Sequence, residues 1–78
     1  SHFLQQRHAE FTAMQRDMLK FVLPKAVAAD RITVEALDLI CSMESWRRLR
    51  TEQKLSPRSA TAVLKVMVNT MLARKSPR

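Results

Sequence analysis

The residue types in this chain that can do covalent or acid–base chemistry are few and poorly spaced for it. His8 has no second His, Cys or carboxylate at a spacing that would make a zinc site. Ser42 and Ser45 flank Glu44, but no base accompanies them in a recognisable nucleophilic constellation. Cys41 falls inside an apolar helical run, which predicts an inert buried thiol rather than a nucleophile or redox sensor. We therefore expect no enzyme, no metal and no cofactor. What remains is binding chemistry. Arg47, Arg48, Arg50, Lys54 and Arg58 cluster about one turn, and Phe11, Met14, Met18, Phe21, Ile40 and Met43 offer adaptable apolar surface for a small ligand.

The charge of the chain sharpens the first of these. Its formal net charge is +7. From Arg47 onward there are nine Lys/Arg against Glu52 alone, whereas residues 1 to 46 carry five Lys/Arg against six Asp/Glu. Such a basic turn can meet phosphates without sequence preference. It lacks aromatic stacking partners and a helix of polar base-reading residues. The competing reading is a solvated helix end whose positive charge complements a helix dipole.

The elements that position these residues are helices. Glycine is absent and proline occurs only at Pro24, Pro57 and Pro77, so hairpin turns of the Asn-Gly type are missing and the chain is expected to be all-α. Leu4, Phe11 and Met18, seven apart, with Met14 and Phe21 beside them, predict a first amphipathic helix over about 3–23 that Pro24 ends. Residues 25–32 read as an Ala-rich connector. A second helix is expected from Asp30 or Thr33 to about Lys54, apolar round more than half its circumference and therefore central. Ser56-Pro57 supplies a cap and a first-turn proline for a third helix reaching about Arg74, with Ala60, Val63, Leu64, Val66, Met67, Val68, Met71 and Leu72 on its apolar arc.

At 78 residues such a chain buries little apolar surface, and its single cysteine excludes an internal disulfide. The apolar surplus of the last two helices predicts that they form an antiparallel hairpin and pair with a symmetry mate as a four-helix bundle. Leu39, Met43, Trp46, Ala60, Val63, Leu64, Met67 and Met71 are the expected interface. The alternative is a three-helix monomer in which the first helix covers both ridges. No run approaches the length of roughly 20 apolar residues that a membrane span needs, and no signal peptide is evident, so a cytoplasmic protein without membrane contact is expected. Ser1-His2 reads as a tag remnant or an internal cut, 3–75 as one helical domain, and 76–78 as a disordered tail.

The stretch Ser42 to Met67, SMESWRRLRTEQKLSPRSATAVLKVM, resembles the C-terminal end of TetR-type bacterial transcriptional regulators. Trp46, Leu49-Arg50, Glu52-Gln53, Leu55-Ser56, Ala60 and Val63-Leu64 carry the resemblance, and the run Met18 to Pro24 looks like the segment that precedes that hairpin in one branch of the family. The sequence departs from the pattern at Lys54, where glycine is common, and at Pro57-Arg58-Ser59, where acidic residues usually follow the proline. The resemblance implies a regulatory domain that forms a homodimer and holds a small apolar effector, with operator DNA read by an N-terminal helix-turn-helix that this sequence does not contain. A small autonomous helical interaction module, with non-specific nucleic-acid affinity through its basic turn, is the other reading.

Overall fold

The computed structural model describes residues 2–25 and 29–73. Within them every regular element is helical: α1 (His2–Val22), α2 (Arg31–Ile40), α3 (Met43–Arg47) and α4 (Pro57–Ala73), with a 3₁₀ turn at Leu23–Lys25 and a π-helical turn at Arg48–Glu52. Residues 26–28 of the connector, the end expected at Arg74 and the expected tail at 76–78 lie outside the described residues.

Local chemistry sets each boundary. Helix α1 tightens into its 3₁₀ turn at Pro24, where Lys25 Nζ donates to the Phe21 carbonyl at 3.2 Å and lies 4.0 Å from the centre of the Phe21 ring. Asp30 caps α2, its carboxylate accepting from the Thr33 backbone N–H at 2.9 Å. Ser56 accepts from Ser59 N–H at 3.1 Å and starts α4 with Pro57 in the first turn.

The second helix expected from the sequence is two. It breaks at Cys41-Ser42, because Ser42 turns extended (φ −80°, ψ 163°) and caps α3 through Ser45 N–H at 3.3 Å. Ser45 Oγ donates back to the Leu39 carbonyl at 3.0 Å. The two serines offer the backbone an alternative to continuing the helix, and the backbone takes it. Beyond α3 the helix widens by one residue per turn, Gln53 N–H reaching the Arg48 carbonyl at 2.9 Å. It ends at Lys54 with φ 57°, while Leu55 N–H returns to the Leu49 carbonyl at 3.0 Å. This closure is one residue wider than a Schellman end, in keeping with the π turn before it, and Lys54 occupies the left-handed position that glycine usually fills.

The core joins Met14 and Met18 of α1, Trp46 of α3, Leu49 of the π turn, and Ala60, Leu64 and Val68 of α4. The three α4 residues are four apart and form one ridge. Helix α4 packs against α1, α2 and the π turn, while the segment expected as the second helix meets α4 through α2 and the π turn and meets α1 through α3, so it is covered on more than one side. In α2 only Thr33 is buried, while Ile32, Val34 and Leu39 are exposed.

Candidate functional site

The expected dimer interface separates into two sets. Trp46, Ala60 and Leu64 are at most 1 % exposed and belong to the protomer's own core. They are corrected from interface to core, because α1 covers the ridge that the sequence left open. Val63, Met71 and Met43 are half-buried. Leu39 and Met67 remain in solvent, 69 % and 42 % exposed. Beside Met67 lies a hollow of about 150 Å³ whose wall includes Ile40, Ser45, Leu49 and Val63. Ser45, which holds the Leu39 carbonyl, links Leu39 to its rim. An exposed apolar knob thus stands beside a hollow sized for a side chain.

The expected ligand pocket is also redistributed. Met14 and Met18 are buried, and Phe11, Phe21 and Ile40 pack half-buried against the core. They are divided among cavities: Met14 lines one, Met18 another and Ile40 a third. Instead a groove of about 630 Å³ runs between α1 and α2, lined by Met18, Leu19, Val22, Val34, Leu37 and Cys41, with Gln15, Arg16 and Asp38 on its rim. Met18 alone carries over from the expected set. The spacing of Val34, Leu37 and Cys41 at i, i+3 and i+7 marks one face of α2 and was available in the sequence; the facing residues of α1 were not. Burial, then the carboxylate of Asp38, pushes the Cys41 thiol up from its usual range and keeps it protonated.

A second groove, of about 500 Å³, lies between α1 and α4. Trp46 lines it, and its indole Nε1 is buried with no acceptor among the described residues. A buried donor left in this state costs about 1–3 kcal/mol. Asp17 and Lys65 pair across the groove at 3.3 Å, with Lys65 also 5.4 Å from the centre of the Phe21 ring.

The basic cluster does not act as one patch. Arg50 turns inward and grips Glu10 of α1 with two parallel bonds, Nε to Oε1 at 2.7 Å and Nη2 to Oε2 at 2.9 Å. Its Nη1 donates to the Leu55 carbonyl at 2.7 Å, so one guanidinium ties α1 to the turn that follows Lys54. Arg7 adds a third bond to Glu10 at 2.8 Å. The Arg50 bond, supported by Arg7 and opposed by burial, holds the Glu10 carboxyl down at about 2. Arg50 is held still more firmly protonated by the same bond. Arg47 pairs with Glu52 at 3.1 Å. Arg48, Lys54 and Arg58 are exposed, with Arg58 at the α1–α4 groove. The Glu10–Arg50 clasp spans 40 residues and left no signal in the sequence.

Among the described residues no group of three His, Cys, Asp or Glu side chains is arranged to hold a metal, and no helix is long and apolar enough to cross a membrane. No protein-family model, no curated protein and no solved structure matches the chain.

Proposed function

We propose that this chain is the dimerisation and effector-binding part of a ligand-responsive transcriptional regulator of the TetR type, working in the cytoplasm of a bacterium. The observation that carries the reading is the exposed pair Leu39 and Met67 beside the 150 Å³ hollow. A two-fold axis along that face would let the knob of each protomer enter the hollow of the other, an isologous contact that buries apolar surface a small domain otherwise leaves wet. The α1–α2 groove, about 630 Å³ and mostly apolar, is of the size that encloses a small effector. It lies against α2, whose Leu39 belongs to the pairing face, so occupancy and pairing geometry would be coupled through one helix. DNA would be read by a helix-turn-helix outside this sequence.

Light scattering tests the pairing. The chain is expected at twice the 9.0 kDa protomer mass. Met67→Glu and Leu39→Glu are each expected to give a folded protomer, since neither side chain is in the core. A monomer at high concentration, or variants that pair as well as the parent, would refute the reading. A gene that encodes no helix-turn-helix upstream of this segment would refute the regulator assignment separately. The alternative, a basic module binding nucleic acid through its turn, is weakened because Arg50 and Arg47 are already engaged within the chain.

A further inference from the structure

The α1–α2 groove carries two charges that nothing within the described residues answers. Arg16 stands on its α1 rim and Asp38 on its α2 rim, and neither side chain enters an ion pair or a hydrogen bond among those residues. The Asp38 carboxylate acts on the groove itself, because it helps to push the Cys41 thiol in the wall up from its usual range. Between the two charges the walls are largely apolar. Leu19 and Val34 are 57 % and 48 % exposed there, surface that the chain leaves uncovered. Gln15 adds a carboxamide, donor and acceptor at once, whose side chain makes no hydrogen bond among the described residues.

Opposite charges on opposite walls, with apolar surface and a free carboxamide between them, match a molecule that is cationic at one end, anionic at the other and amide-linked between apolar side groups. Resting on the reading of this groove as the effector site, we infer that its ligand is a short apolar peptide with free termini. The ammonium lies at Asp38, the carboxylate at Arg16 and the side chains against Leu19 and Val34. A single amino acid carries both charges on one carbon, whereas an extended dipeptide spans about 7 Å. Arg16 and Asp38 belong to different helices and do not pair with each other, so they call for separated counter-charges. A fatty acid would leave Asp38 unanswered and bring a like charge towards it, and an apolar amine would do the same at Arg16.

The test titrates the isotope-labelled 78-residue chain with leucylphenylalanine, its N-acetyl form and its C-terminal amide, and follows the backbone amide resonances of Leu19, Val34 and Cys41. The free dipeptide is expected to shift them saturably. Removing either terminal charge is expected to weaken binding roughly fivefold, the size of one partly solvated charge contact. Asp38→Asn is expected to erase the difference between free and acetylated N-termini and keep the difference at the C-terminus, and Arg16→Gln to do the reverse. Both substitutions are on exposed side chains outside the core. Leu19→Gln is expected to weaken all three forms. Three forms that bind alike, or discrimination that survives in Asp38→Asn and Arg16→Gln, would overturn the peptide assignment while leaving the groove an effector site. No saturable shift with any form would overturn it too, and the uncharged dye Nile red then decides the groove. A fluorescence rise lost in Leu19→Gln keeps the effector site, and no rise refutes that reading as well.

Discussion

Replacing Glu10 by Gln removes the anion that three bonds converge on while keeping the size of the side chain. The carboxyl sits at about 2 in the folded chain against an ordinary 4.5, and a drop of that size corresponds to roughly 3 kcal/mol between the two protonation states. The clasp lies near the surface, with Glu10 and Arg50 side chains 15 % and 18 % exposed, and solvent screening reduces its contribution to about 1–2 kcal/mol. The sign follows from the direction of the shift. A depressed carboxyl stabilises the fold fully above 4.5, and the contribution is lost as pH falls from there through about 2. Glu10→Gln should therefore lower Tm at pH 7 by roughly 5–15 °C for a chain of this length. Far-UV circular dichroism melts of parent and variant, at one fixed protomer concentration and across pH 2 to 7, measure this directly. The gap should shrink to a small remainder at pH 2, where the parent's Glu10 is about half protonated in the folded chain and almost wholly protonated in the unfolded one. Equal Tm values at pH 7, or a gap that persists undiminished at pH 2, would refute the argument.

Lys54 pays no functional debt visible in the structure for its positive φ, so Lys54→Gly is expected to stabilise the chain by about 1 kcal/mol, read from a denaturant midpoint at unchanged slope. A loss of stability would show that the Lys54 side chain contributes more than its backbone strain costs. Leu64→Ala, at a position 1 % exposed, should cost about 2–5 kcal/mol and unfold much of the population, whereas Leu39→Ala should cost well under 1 kcal/mol in the protomer. Hydrogen exchange and chemical denaturation separate the two, and similar losses at both positions would contradict the division between core and pairing face.

The helices were legible because their signals are local. Pro24, Asp30 and Ser56-Pro57 act on backbone groups within a turn of themselves, and each marks the boundary the sequence assigned to it. The break at Ser42 used equally local chemistry and was hidden because the apolar pattern runs through it. Leu37, Ile40, Cys41 and Met43 continue the periodicity on either side, so only the competition between Ser42, Ser45 and the Leu39 carbonyl reveals the interruption. Burial was less legible. A ridge such as Ala60, Leu64 and Val68 is apolar whether it meets α1 of the same chain or a second protomer, and periodicity does not distinguish the two.

The sequence by itself determined an all-helical chain, the starts of α2 and α4 and the end of α1, since each depends on residues within a few positions of one another. Tertiary structure alone decided that Arg50 leaves the basic turn for Glu10, that Trp46 and Leu64 face inward while Leu39 and Met67 face out, and that two grooves with different chemistry flank α1. Those outcomes depend on how helices rotate and cross. Contacts between residues tens of positions apart fix that geometry, and no local pattern records them.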